Sequence, residues 1–372
     1  MLYYVKIHTA ESAAVKLKLK VRIMKNFIFA FFALQMLLFS GCGHTPVRTN
    51  TMPMAMPPET VNSAEGARRA AEFRKATAAL PLRGITVFPS AFIGNFENSA
   101  VISMIKNLGF NRIYCYITSE QELNSDLEKF ILAASNAKIP LELVFSQQDF
   151  YRTYRGNRLI RWALIQYPTL KDAVEKAVSF TGSLPEGAEI AGITIHLTPH
   201  LINGNNVQRS RTSLYNWNEK NYGLGGDNDM LMRQALNTAA EIAAIKNLPP
   251  LTIAIADFFQ KAVEEGKLSC GKVSDFAKIT PRVAVINSAN RPSQLPVNIQ
   301  SALNSASGSC KVFIAVPIVG HISMESEGLR RRNWRDFLNS AAYLVKKSAS
   351  HPACGGVIFS PLAIIEYLRL EK

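Results

Sequence analysis

The chain has 372 residues, of which 48% are hydrophobic and 19% are charged, and its formal net charge is +14. This composition excludes an intrinsically disordered or fibrous protein and supplies enough apolar material for a large core. The sequence contains no helix-turn-helix, RNA-binding or zinc-finger pattern, so the positive charge does not predict a nucleic-acid partner.

The N-terminal segment is typical of an exported protein. Lys25 precedes a short apolar run at residues 27–39, and small residues follow it at Ser40 and Gly41. A positive start, a short hydrophobic stretch and small residues before a cleavage point indicate a secretory signal peptide. The run is short for a membrane-spanning helix. Translation begins at Met1 or at Met24, and the second start makes residues 1–23 an upstream extension.

Ser40-Gly41-Cys42 resembles the lipobox of bacterial lipoproteins, although Phe39 stands where leucine is usual. The resemblance implies cleavage before Cys42, diacylation of its thiol and anchoring of the exported chain to the cell envelope. Gly43 is not the aspartate associated with inner-membrane retention, which favours the outer membrane. The alternative is an ordinary signal anchor with an incidental cysteine.

The predicted organisation has three parts: an extension and signal peptide at 1–41, a flexible proline-containing tether at 42–58, and a single domain at 59–372. Removal of residues 1–41 takes away six basic residues and one acidic residue, so the net charge falls from +14 to +9. This moderate excess suits contact with an anionic envelope polymer or with lipid head groups. The sequence does not determine the oligomeric state.

Short β-branched runs alternate with helical patterns through most of the domain. The predicted strands are 84–89, 112–117, 141–145, 190–197, 251–256, 283–286, 311–316 and 356–360. The predicted helices are 59–80, 99–108, 125–137, 169–180, 229–245, a weak one near 262, 294–305, 334–347 and 363–370. Eight strand–helix units predict a (β/α)₈ TIM barrel. The alternative is an open doubly wound sheet, but no glycine-rich phosphate-binding turn follows any strand.

The fourth predicted strand carries polar residues at alternate positions, namely Thr194, His196, Thr198 and His200. A period of two places such side chains on one face of a strand. Buried polar groups need hydrogen-bonding partners, so this column is predicted to face a functional mouth. A long irregular segment, 198–227, follows it.

Active sites of TIM barrels form at the C-terminal ends of the strands. Two acids stand there: Asp149 after the third strand and Asp257 after the fifth. Each also has a non-catalytic interpretation, Asp149 as a solvated loop residue and Asp257 as a helix N-cap. The candidate ligand-binding residues come from the same mouth. They include aromatic side chains, because aromatic faces stack on sugar rings. They are His196, Thr198, His200, Trp217, Tyr151 and Asn287.

The stretch 192–201, read within the pattern of residues 84–367, resembles exported (β/α)₈ proteins related to glycoside hydrolases. In those relatives Gly-Ile is followed, after two residues, by Asp-x-Glu-Pro-His. Overlaid without gaps, the acidic positions fall on His196 and Thr198, and the acid expected after the seventh strand falls on Pro317. Glycoside hydrolysis normally needs two carboxyl groups. The resemblance therefore implies a barrel that binds carbohydrate, or acts structurally at the envelope, without catalysis.

An active hydrolase remains as the alternative, with either Asp257 and Asp149 or a metal centre. His196, His200, Asp257 and His321 have the side chains of a zinc or iron site. The His-x-His signature of barrel metallohydrolases is absent from the first predicted strand, so neither a metal nor another cofactor is predicted.

Export makes disulfides possible. Cys310 and Cys354 lie just before the seventh and eighth predicted strands, and a bridge between them is predicted if those strands are neighbours. Cys115 alternates inside a strand and is predicted to be a buried thiol, whereas Cys270 has no obvious mate.

Overall fold

The computed structural model describes residues 64–89, 93, 96–150, 169–201, 217, 219–287, 295–306, 308–316 and 334–359. All of them lie in one compact unit, Ala55–Lys372. The predicted signal peptide, Cys42 and the tether fall outside the described residues. None of the described helices is both long and apolar enough to cross a membrane.

Eight parallel strands form a closed barrel, in which each strand pairs with the next and the last pairs with the first. The strands are β1 (Arg83–Val87), β2 (Arg112–Ile117), β3 (Leu141–Ser146), β4 (Gly192–His196), β5 (Leu251–Ala256), β6 (Arg282–Ile286), β7 (Lys311–Val316) and β8 (Cys354–Phe359). This closure confirms the predicted TIM barrel and excludes the doubly wound sheet.

The described helices surround the barrel. They are α1 (Ala64–Ala76), α2 (Asn98–Asn107), α3 (Ser125–Asn136), α4 (Leu170–Gly182), α5 (Asp227–Ala243), α6 (Phe258–Glu264), α7 (Val273–Phe276), α8 (Leu295–Ser305) and α9 (Trp334–Ser348). The single-turn helix α7 has no counterpart among the predicted helices. The predicted helix at 363–370 lies outside the described residues.

Alternation along β4 separates the two sides of the barrel wall. Ile193 and Ile195 are fully buried in the core between the strands and the outer helices. Thr194 lies on the opposite side, in the lumen, where its hydroxyl donates to a carboxylate oxygen of Glu142 at 2.9 Å. A smaller apolar cluster fills the lumen: Tyr114, Val144, Ala254, Ala284, Phe313 and Ile358. The predicted period of two is therefore observed within this strand.

Helix α1 precedes the first strand, yet it belongs to the outer layer. Its Phe73 packs on Phe110 and Phe359, with ring centroids 5.3 and 5.2 Å away. Arg74 donates a hydrogen bond to the carbonyl of Asn107 at the end of α2. Because α1 also packs against α9, it lies beside β8, where the helix after the last strand of a TIM barrel normally packs.

The floor of the barrel, near the N-terminal ends of the strands, contains a fully buried carboxylate, that of Glu142. Its Oε1 accepts hydrogen bonds from Arg112 at 2.5 Å and from Arg282. Its Oε2 accepts from the hydroxyls of Thr194 at 2.9 Å and Thr252 at 3.4 Å. This face of a TIM barrel serves stability rather than catalysis. We therefore assign the network to folding.

The predicted disulfide between Cys310 and Cys354 is not formed, since both cysteines are free thiols. Strand register explains the difference. Cys354 is the first residue of β8 and pairs with Val312, two residues beyond Cys310. Two residues along a strand and one inter-strand spacing separate the Cα atoms by about 8 Å, beyond the roughly 7 Å that a disulfide spans. Cys115 is a buried thiol, as predicted, and Cys270 is partly buried.

Candidate binding site at the carboxyl ends of the strands

Tyr116, one residue before the end of β2, is the central contact of the barrel mouth. Its ring centroid lies 5.0 Å from that of Phe88 and 5.6 Å from that of His196, which it meets edge to face. Its hydroxyl donates to Oδ2 of Asp149 at 3.1 Å. The three rings are partly exposed and Asp149 is exposed. The barrel mouth therefore presents the rings of Phe88, Tyr116 and His196 beside one carboxyl group.

Strand register and a tight turn bring these side chains together. Ser146 pairs with His196 at the ends of β3 and β4. The amide of Gln147 donates to the His196 carbonyl at 2.9 Å, which extends the pairing by one residue. The chain then turns, because the amides of Asp149 and Phe150 both donate to the Ser146 carbonyl, at 3.0 and 3.3 Å. This turn carries Asp149 back toward β2.

The mouth changes the acidity of Asp149. Loss of hydration raises the pKa of its carboxyl group to about 6, and the nearby Glu122 charge acts in the same direction. The hydrogen bond from Tyr116 opposes the rise, because it stabilises the charged form. Asp149 therefore holds a proton in mildly acidic solution, although its side chain is accessible to solvent.

Three buried polar atoms beside β3 and β4 have no hydrogen-bond partner: Ser146 Oγ, Thr198 Oγ1 and His200 Nδ1. The Ser146 hydroxyl is close enough to that of Tyr116 to oppose the rise in the pKa of Tyr116, although the pair does not meet hydrogen-bond geometry. The two other unpaired buried side-chain atoms among the described residues belong to the first half of β2. A buried polar group without a partner costs about 1–3 kcal/mol. Such atoms mark places where a ligand or ordered water completes the bonding.

The predicted column of four polar residues ends where the strand ends. Thr194 and His196 share the lumen side of β4, and the backbone amide of Thr198 donates a hydrogen bond to Gln147 Oε1 at 3.0 Å. His200 instead meets the rings that follow β5. Burial lowers the pKa of His196 and of His200 to about 4. Both imidazoles are therefore neutral at neutral pH, and each offers one donor and one acceptor.

His200 belongs to an aromatic cluster with Trp217, Tyr222, Phe258 and Phe259. Its ring centroid lies 5.0 Å from that of Phe258, 5.3 Å from that of Phe259 and 6.4 Å from that of Trp217. Trp217 also packs on Phe259 at 5.5 Å and on Tyr222 at 5.7 Å. The structure thus joins the predicted ligand-binding residues His200 and Trp217 as packed neighbours of the outer core.

Asp257 and Asn287 lie directly after β5 and β6, where they were predicted to bind or catalyse. Both are buried, with exposed fractions of 3% and 2%. β5 ends at Ala256, and the backbone of Asp257 has already left the extended conformation, with φ −62° and ψ −31°. Asp257 occupies the N-cap position of α6, but its side chain makes no capping hydrogen bond. Of the two candidate acids, only Asp149 is exposed.

Three residues of interest fall outside the described parts of the chain: Tyr151, His321 and Pro317. Within the described ranges, no group of three or more His, Cys, Asp or Glu side chains is arranged to hold a metal ion.

Two residues that organise the barrel were not among the predicted site residues. For Tyr116 the signal is its spacing, because it follows Tyr114 by two residues in a largely apolar strand. Glu142 carries another, because it is the one acid within the apolar run Leu141–Ser146. A charged residue inside a buried strand indicates a partner, but the sequence does not indicate which one.

No protein-family model and no curated protein matches the sequence. Among solved structures, the chain is similar to a GH18 chitinase from Pseudoalteromonas aurantia, with 11% identity and a TM-score of 0.41 over 75% of this chain and 93% of that one. An intracellular xylanase from Thermoanaerobacterium saccharolyticum gives 9% identity and a TM-score of 0.44, over 78% and 89%. A GH113 beta-1,4-mannanase gives 10% and 0.40, over 75% and 87%.

Similarity at this level does not indicate an activity for this chain. The class of protein is defined by its own fold and mouth: a (β/α)₈ barrel with an aromatic, partly open carboxyl end.

Proposed function

We propose that this protein binds carbohydrate at the carboxyl ends of β2, β3 and β4 without hydrolysing it. The proposal rests on the side chains at these strand ends: the Ser146 hydroxyl, whose oxygen is buried without a hydrogen-bond partner, and the neutral imidazole of His196, which lies beside the ring of Tyr116. Hydroxyl and neutral imidazole groups exchange hydrogen bonds with sugar hydroxyls, which act as donors and acceptors. The ring of Tyr116 supplies an apolar face nearby.

The distribution of acids favours binding over hydrolysis. A glycosidase normally places two carboxyl groups on opposite sides of the scissile bond. Among the described strand-end residues, Asp149 is exposed whereas Asp257 is 3% exposed. The mouth thus has the features of a binding site more clearly than those of a catalytic pair.

A glycan array probed with the full-length protein, beside a hydrolysis assay on the same glycans, tests this proposal. We expect retention of one glycan class with no product. Release of reducing ends in proportion to the protein concentration would contradict the binding function.

Hydrolysis is the second candidate, because the pKa of Asp149 is raised to about 6. A carboxyl group with such a pKa can act as a general acid near neutral pH. In that case turnover would fall as the pH rises through about 6, and Asp149→Asn would abolish it. Under the binding proposal, Asp149→Asn changes glycan retention at most severalfold and no turnover exists to lose. Glu186→Gln, an exposed change away from the strand ends, is the control.

We further propose that the barrel is exported and held at the outer membrane through a lipid on Cys42. The support is the sequence resemblance of residues 40–42 to a lipobox. Cys42→Ala is expected to move the protein from the membrane fraction to the soluble fraction and to remove the acyl mass. Cys270→Ala should leave both unchanged. Membrane association of Cys42→Ala at the wild-type level would contradict lipid anchoring.

A further inference from the structure

A polar groove of about 970 Å³ lies on the outer helical layer. It runs over α8, which packs between α6 and α7 on one side and α9 on the other. Its lining includes Gln300, Ser301, Asn304 and Tyr343, together with three charged residues, Glu264, Lys272 and Lys347. The groove is built from helix surfaces, whereas the mouth is built from strand ends, so the two sites use different residues.

The composition of α8 explains the groove. Its sequence, LPVNIQSALNS, contains no charged residue, unlike every other α-helix in the described part of the chain. Exposed helix faces are normally covered by long charged side chains. On α8 itself the groove is lined by Gln300, Ser301, Asn304 and Ser305. The α8 part of the lining is therefore uncharged, and the charged lining residues belong to the neighbouring elements.

Side-chain hydrogen bonds hold the groove lining in place. Gln260 is 6% exposed, donates to Glu264 Oε1 at 2.7 Å and accepts from the Val273 amide at 3.3 Å. The Ser301 hydroxyl donates to the same Glu264 oxygen at 3.1 Å. This network links α6, α7 and α8, so polar groups of the groove are ordered before any ligand arrives.

Tyr343 forms the wall on the α9 side. Its side chain is 40% exposed, and it is one of two large hydrophobic residues exposed to this degree among the described residues. Lys347 places its ammonium 5.8 Å from the ring centroid. An exposed aromatic ring beside amides and hydroxyls is the combination that recognises sugars, through stacking on the ring and hydrogen bonds to the hydroxyls.

From this geometry we infer that the α8 groove is a second binding site, for a neutral oligosaccharide. The two lysines and one glutamate of the lining do not form the row of Lys and Arg that a phosphate polymer requires. The polar lining disfavours an apolar helix, which requires a hydrophobic groove. The inference shares only its ligand class with the proposed function of the mouth.

Calorimetric titration of the full-length protein with chitohexaose, xylohexaose and mannohexaose tests the inference. Wild type is expected to bind two molecules of one of these sugars per chain. Tyr343→Ala should weaken one of the two sites at least tenfold, and Asn304→Trp should abolish it by filling the groove. Tyr343→Phe, which keeps the ring, and Lys346→Ala, an exposed change on the same helix, should retain both sites.

The outcomes separate the two proposals. If Tyr343→Ala and Asn304→Trp bind two sugars as wild type does, the groove inference is overturned and the mouth is unaffected. If the groove variants lose binding but Tyr116→Ala does not, the proposed function of the mouth fails and the groove remains. A change of oligomeric state in Asn304→Trp, with sugar binding intact, would make the groove a protein contact and overturn the inference. Absence of binding to all three sugars would overturn it as well.

Discussion

Replacement of Glu142 by alanine is expected to lower the free energy of unfolding by about 3–5 kcal/mol. The carboxylate is fully buried and joins Arg112 and Arg282, whose side chains are only 21% and 17% exposed. Without it, two guanidinium groups of like charge remain in the barrel floor with no counter-charge. Since domains are stable by about 5–15 kcal/mol, this change removes a large share of the total.

Chemical denaturation monitored by far-UV circular dichroism measures this effect. Glu142→Gln should cost less than Glu142→Ala, because the amide keeps the volume and one acceptor oxygen for the arginines and for Thr194. Glu186→Ala, an exposed change, should fall within about 0.5 kcal/mol of wild type. Equal stabilities of Glu142→Ala and Glu186→Ala would show that the buried network contributes nothing.

Tyr116→Ala is expected to weaken glycan binding at the mouth by about a hundredfold, which corresponds to about 2.7 kcal/mol. Tyr116 touches Phe88 and His196 with its ring and Asp149 with its hydroxyl. A central aromatic residue of this kind carries a large share of binding energy. Removing it takes away the stacking face and frees Asp149 from its partner.

Tyr116→Phe is the matched control, because it keeps the ring and deletes only the hydrogen bond. It should reduce affinity severalfold at most. It should also raise the pKa of Asp149 above its wild-type value of about 6, because the Tyr116 hydroxyl stabilises the carboxylate. Titration of the Asp149 carboxyl by NMR would detect this shift. Wild-type affinity in Tyr116→Ala would place the glycan site elsewhere.

The barrel was predictable because its signal is local and repeated. Eight apolar runs, each followed by a helical pattern, specify strand–helix units, and parallel strands with helical connections close most simply into a barrel. Within β4, the alternation of Thr194 and His196 with Ile193 and Ile195 predicted which side chains face the lumen. Both inferences use neighbours only a few residues apart.

The continuation of the polar column to His200 was wrong, and the reason is geometric. Period-two alternation holds only while the backbone is extended, and β4 ends at His196. Beyond it, the aromatic residues after β5 determine where the His200 ring packs. The predicted disulfide failed for a related reason, because Cys354 begins β8 and is displaced by two residues from Cys310.

The sequence by itself determined the barrel and the alternation within its strands, since both follow from chain-local periodicity. Only the tertiary structure decided the partners of the key side chains. Glu142 meets residues 30, 52, 110 and 140 positions away, and Tyr116 meets Asp149 from 33 positions away. Barrel closure creates these contacts, and the spacing of residues along the chain does not predict them.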